Sequence, residues 1–181
     1  MAGQETERVY DELLVTLARS GDARAANRLA ARWYPRLMRT ALRLLRDRNE
    51  AEEAVQEAWA GICRGWPRLS DSAMFPGWAF GILRRKCSDR IRAAQTARTR
   101  SAPLDAAPEP SEPARGELQV EIDQALASLS DDHRLAAILF FGEGLSLNEI
   151  AAVTDVPVGT AKSRIFHARQ HLKSRLKGES E

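Results

Sequence analysis

No stretch of this 181-residue chain approaches the roughly 18 consecutive apolar residues that a membrane span needs; the nearest candidate, LAAILFFGEGL, is short and interrupted by glycine. The N-terminus, MAGQETERVYDE, lacks the apolar core of a secretory leader. Cysteine is scarce. Cys63 and Cys87 are the only two, and without metal-ligand spacing both read as reduced core residues. These absences predict a soluble cytoplasmic protein with no membrane insertion. Paired carboxylates, a nucleophile constellation and a metal triad are also missing, so the chain does not read as an enzyme, and no cofactor, metal or small-molecule substrate is expected. Gly142 and Gly144 form no phosphate loop, because GEGLS lacks the remaining glycine and lysine pattern. His167 and His171 lie one helical turn apart but have no third ligand nearby in sequence.

A strong charge imbalance is lacking too: 27 Lys and Arg against 25 Asp and Glu leave a formal net charge of +2, too small to mark a nucleic-acid binder by itself. Distribution is more telling. Residues 84–100 carry seven basic side chains against one acid, Asp89, and residues 157–177 carry six against none. Acids gather instead around Glu50 to Glu57.

What the sequence does hold is helical periodicity. Val9, Leu13 and Leu17, then Leu29 and Trp33, then Leu37, Ala41, Leu44 and Leu45 recur at three- and four-residue spacing, interrupted by Pro35, which suits a first turn or a kink. Asn49 is placed to cap a helix with Ala51, Ala54, Val55, Ala58 and Ile62 on its apolar face and acids opposite. Residues 65–72 read as a loop, and a helix from about Phe75 to Thr99 sets Trp78, Ile82 and Ile91 against an arginine cluster. No segment alternates with period two for long enough to suggest a strand. SAPLDAAPEPSEPARG, residues 101–116, holds four of the eight prolines and reads as a semi-stiff linker with a ceiling of roughly 50 Å. The expected architecture is therefore all-α: two small helical domains, 7–100 and 117–177, joined by a Pro-rich linker.

In the second half, helices are expected near 117–129 and 131–141, the latter capped by Ser130. LSLNE is a capping box with a staple, Ser146 with Glu149 and Leu145 with Ile150, opening a short helix that ends at TDVP. A longer helix follows. Two helices joined by so short a turn, the second one basic, form a helix-turn-helix. Steps of about 100° place Val158, Ala161, Ile165, Ala168 and Leu172 on one inward stripe. Ser163, Phe166, His167 and Gln170 then face outward, flanked by Thr160 and Arg164 on one side and Lys162, Arg169 and Lys173 on the other. Donors, an aromatic ring and cations without acids suit base edges, thymine methyls and phosphate.

LSLNEIAAVTDVPVGTAKSRIFHARQHLKSRL resembles the promoter-binding domain of the extracytoplasmic-function sigma factors, the short group of bacterial transcription initiation factors. RDRNEAEEAVQEAWAGICRGW is similar to that family's polymerase-binding helix, and MFPGWAFGILRRKCSDRIR to the helix that meets the promoter near the start site. The order of these motifs, over about residues 7 to 177, is more specific than any one alone. The acidic face of Glu50, Glu53 and Glu57 with Gln56 and Trp59 repels phosphate and suits a protein partner; the resemblance implies that this partner is core RNA polymerase. It also implies that the segment from Arg68 to Met74, with Ser70 and Asp71, helps to capture an unpaired promoter base. Arg84, Arg85, Lys86 and Arg90 are candidate phosphate contacts that cannot all share one helix face. Trp66 and Trp78 could stack on an exposed base, but at helical spacing they read first as core. A dedicated anti-sigma protein is the remaining partner that the resemblance implies.

Three positions depart from the family pattern. Glu53 stands where Asp is common, Arg85 where Asn is frequent and His167 where Arg is usual; the last two bear on promoter preference. The alternative reading is a stand-alone, dimeric helix-turn-helix regulator, for which a palindromic site would be expected.

Overall fold

Apolar periods become helices close to where the pattern places them, with instructive exceptions. The computed structural model describes residues 2–100 and 116–178, and no strand occurs among the described residues. The expected linker therefore lies outside them, except Gly116, which precedes α5.

Helix α1 (Ala2–Arg19) corrects the first expectation. Val9 and Leu13 are 60% and 52% exposed, while Leu14, Val15, Ala18 and Asp11 are buried. The reason is electrostatic. Arg32 of α2 (Ala23–Leu45) reaches Asp11 at 2.8 Å, so the face of α1 that carries this carboxylate is drawn inward. Asp22 caps α2 by accepting from the amides of Arg24 and Ala25, and α2 runs unbroken through Pro35. Asp47, and not Asn49, caps α3 (Arg48–Gly65), accepting from the Glu50 amide at 3.0 Å. Residues 66–74 form two 3-10 turns, Trp66–Arg68 and Ser72–Met74, where a loop was expected.

Helix α4 (Phe75–Arg100) closes the first half against Trp33, which is fully buried and meets Phe75 edge-on at 4.8 Å and Phe80 at 5.6 Å. Trp66 and Trp78 are half-buried and pack on this core. Gly65 lies beneath Trp78, where a Cβ would come within 2.6 Å of the ring, so no larger residue fits without displacing it. Cys87 is buried, and that burial pushes its thiol up to about 12; half-burial raises Cys63 as well.

After Gly116, α5 (Glu117–Ala127) leads to α6 (Asp131–Ala137), which continues as a π-helical turn, Ile138–Gly142. Ser130 makes no backbone cap; its hydroxyl meets His133 Nδ1 at 2.6 Å instead. The capping box of α7 (Leu147–Thr154) is complete, and Leu145 and Ile150 are both buried. Asp155, at φ 55°, ends α7 before α8 (Val158–Gly178). Ala161, Ile165 and Ala168 are buried as expected and Leu172 is half-buried, but Val158 at the helix start is 43% exposed.

The larger apolar cluster takes members from both described segments, joining Trp33, Leu37, Phe75 and Phe80 to Leu139, Leu145, Ile150 and Ile165. A smaller one holds Leu126, Leu129, Ala137, Ile138 and Ala168. Arg134 organises the second half: 7% exposed, it donates to the carbonyls of Leu126, Ala127 and Leu129 at 3.0, 3.2 and 2.7 Å, adding to the Leu129 amide already on Leu126 and to Arg46 already on Ala127. Arg134→Met removes these three hydrogen bonds, that to the Leu129 carbonyl among them, and is expected to lower the unfolding free energy by about 2 kcal/mol in urea titrations, whereas Arg169→Ala, on an exposed face, should change it by less than about 0.5 kcal/mol.

Candidate nucleic-acid interface

Helix α8 presents its outer face as the stripe geometry requires. Lys162, Ser163, Phe166, His167, Arg169 and Gln170 are exposed, and Thr160 and Arg164 are half-buried at the edge. Ser163 Oγ donates to the Thr160 carbonyl at 3.0 Å, so its proton is committed and it turns acceptor lone pairs outward. The Phe166 ring is 56% exposed and meets the His167 ring near-perpendicular at 5.6 Å; His133 of α6 closes on His167 from another side at 6.0 Å. Arg164 is tied to Asp132, and His171 Nε2 lies 2.8 Å from Ser128 Oγ. The surface thus combines fixed rings, an acceptor and cations.

In the first half the predicted contacts separate. Arg68, Ser70 and Arg85 are exposed, while the Asp71 carboxylate is engaged with the Ala73 amide at 2.9 Å. Arg84 turns toward α7 and donates to the Val153 carbonyl at 3.2 Å. Lys86 and Arg90 face α3. Lys86 Nζ is 2.8 Å from Glu57, and Arg90 reaches Glu50, Glu53 and Glu57 at 2.7, 2.8 and 2.8 Å. Hydrogen bonds from Lys86 and then Arg90 hold the Glu57 carboxyl below its ordinary range, and the Glu50 hydrogen bond leads those that raise Arg90 above its own.

These three carboxylates form one stripe on α3. Gln56 is exposed farther round the helix, and Trp59 is half-buried, edge-on to Trp66 at 6.4 Å. The five residues expected to act as one face therefore occupy three adjoining directions.

One set of contacts was not anticipated. Arg8 forms a double hydrogen bond with Glu149 at 2.9 and 2.8 Å, Arg36 binds Glu143 at 2.9 Å, Thr40 Oγ1 donates to Glu143 at 3.3 Å, and Arg43 reaches Asp123 at 3.1 Å. All four join the first half to the second. For Arg36 and Arg43 the signal was present in the spacing of Arg32, Arg36, Arg39 and Arg43, a basic stripe along α2. Between the halves a cleft of about 670 Å³ is lined by Arg8, Asp11, Arg32, Arg36, Arg39 and Glu143. Burial works against ionisation of Glu149, but hydrogen bonds from Arg8 and Ser146 prevail and hold its carboxyl below the ordinary range.

Residues 29–97 match the family described as Sigma-70 region 2, and residues 119–172 match Sigma-70, region 4. The RNA polymerase sigma-H factor of Pseudomonas aeruginosa is 30% identical over 184 residues, spanning 92% of this chain and 93% of that one. The ECF RNA polymerase sigma-E factor of Escherichia coli K12 is 30% identical over 186 residues, 94% of this chain and 96% of the relative. Among solved structures, the sigma factor RpoE of Bartonella quintana in complex with the anti-sigma factor NepR aligns with a TM-score of 0.68 at 27% identity, over 83% of this chain and 96% of that one. CnrH in complex with the cytosolic domain of CnrY aligns at 0.67 and 25% identity, over 94% and 99%.

A carboxyl whose folded-state value is depressed contributes stability above its ordinary value and loses it as pH falls through the depressed one. Glu149→Gln is therefore expected to cost about 1 kcal/mol at pH 7, and the gap from the parent should close below roughly pH 4 in denaturant titrations across pH.

Proposed function

This chain belongs to the extracytoplasmic-function sigma factors of bacterial RNA polymerase, and from that membership we propose how its surface is divided. The protein joins core polymerase and directs promoter recognition and transcription initiation in a stress response, with no catalysis of its own. Relatives solved with NepR and with the cytosolic domain of CnrY support control by an anti-sigma protein.

In our reading, residues 117–177 are the domain that binds the upstream promoter element, with α7 and α8 as a helix-turn-helix. Residues 7–100 bind polymerase and the start-proximal element, and 101–116 tether the two so that each raises the effective concentration of the other. The observation that carries this reading is the outer face of α8: exposed Ser163, Phe166 and His167 among cations, on a segment without a single acid, above a complete capping box. Lys162 and Arg169 neutralise phosphate. His167 and Phe166 meet base edges and thymine methyls, held by the ring contact from His133. In the first half, exposed Arg68, Ser70 and Arg85 are the groups best placed for promoter DNA, and Asp71 shapes the turn that carries them. The carboxylates of α3 take polymerase. Arg84, bound to the Val153 carbonyl, reaches DNA only after α7 moves away.

Run-off transcription with purified core polymerase tests the assignment: a promoter-specific transcript should appear only when this protein is added, and DNA binding without transcript would favour the stand-alone regulator. Within the upstream domain, Lys162→Ala should weaken binding uniformly across sequences and reduce the salt slope by about one. His167→Ala should relax preference at one position by about 1–3 kcal/mol in a promoter library; equal effects of both variants would contradict the division.

A further inference from the structure

Three carboxylates on one helix stripe repel one another, and long glutamate side chains left alone would spread over many rotamers. On α3 they do neither. Glu50, Glu53 and Glu57 all converge on one guanidinium, Arg90 of α4, through Nη1 to Glu50 and Glu53 and Nη2 to Glu57. The Arg90 side chain is only 18% exposed, whereas the three glutamates remain 51%, 65% and 49% exposed. The cation lies beneath and the anions lie on top. Glu57 spends both its oxygens inward, one on Arg90 and the other on Lys86, but Glu50 and Glu53 each meet Arg90 through a single oxygen, Oε2. Their Oε1 atoms make no contact with Arg90, on side chains that stay more than half exposed.

We propose that Arg90 is a positioning residue for polymerase docking, holding Glu50 and Glu53 in one geometry so that their Oε1 atoms meet the partner's cations without first being ordered. This rests on the reading of α3 as the polymerase-binding helix. It removes Arg90 from the candidate phosphate contacts, because its donors point at α3 and not at solvent. A planar guanidinium is required for the role: its rigid fork spans three acceptors at once, and a lysine ammonium is a point charge that settles on one or two.

The test is titration of fluorescently labelled full-length chain with core polymerase, for the parent, Arg90→Gln, Arg90→Lys and Glu53→Gln, with circular dichroism confirming that each is folded. Ordering a rotamer-rich side chain on docking costs a few-fold to about tenfold in affinity, so releasing Glu50 and Glu53 should weaken Arg90→Gln by about tenfold or more. Arg90→Lys keeps the charge and loses the span, and should lie nearer to Arg90→Gln than to the parent. Since it preserves net charge and a pairing ion, it also answers the case in which Arg90→Gln fails to fold. Parent-like affinity in Arg90→Lys, or tighter binding in Arg90→Gln, would overturn the proposal; the second result would mean that Arg90 masks the carboxylates from the partner. If Glu53→Gln weakens binding and the Arg90 variants do not, positioning alone fails. If Glu53→Gln binds as the parent does, the assignment of α3 to polymerase falls and takes the proposal with it.

Discussion

A guanidinium in a part-buried interface needs acceptors, a carboxylate or several carbonyl oxygens, since the desolvation it suffers is not recovered from apolar neighbours alone. This requirement decides most of the molecule's geometry. Asp11 turns α1 so that it can meet Arg32, leaving Val9 and Leu13 in water. Glu143, its side chain almost fully buried, sits where Arg36 and Thr40 can both reach it. Arg134, the most buried arginine among the described residues, is satisfied mainly by backbone carbonyls rather than by a single strong counter-charge. Apolar packing supplies the cohesion, and these pairings select one arrangement among several that would bury similar area.

The same chemistry separates three placements of arginine along one helix. On α4, Arg85 is exposed, Arg84 is taken by a carbonyl of α7, and Arg90 turns under α3. Side chains that look alike in a basic run thus differ in place: one is open to solvent, one closes the chain on itself, and one lies beneath a neighbouring acidic surface. Charge counting alone would assign all of them to DNA.

How much of this was legible in the sequence depended on the range of the interaction concerned. Helix identities, the Ser146–Glu149 box and the inward stripe of Ala161, Ile165 and Ala168 follow from contacts within four residues, and they appear where the pattern put them. Capping was less legible when two candidates stood close together, since Asp47 and Asn49 differ by half a turn and the structure uses Asp47. The outward face of α1 was misread because Val9, Leu13 and Leu17 at four-residue spacing compete with a neighbouring stripe of Leu14, Val15 and Ala18, and the side that carries Asp11 is the one that meets Arg32 of α2. The union of the two halves into one apolar cluster was not legible at all, because Leu139 and Trp33 are neighbours only in three dimensions. At the candidate site, the exposed outer face of α8 was visible as an acid-free run, whereas the capture of Arg90 and Lys86 by α3 needed coordinates.

That shared cluster has a mechanical consequence. Trp33, Phe75, Leu145 and Ile150 hold the front and the back of the protein together without help from the peptide bonds that connect them. Severing the chain between Arg100 and Gly116 would therefore yield two fragments that stay associated, with their grip weakening on cooling as hydrophobic cohesion does. Pulling them apart would wet oily surface on both, and such surface seeks a new cover.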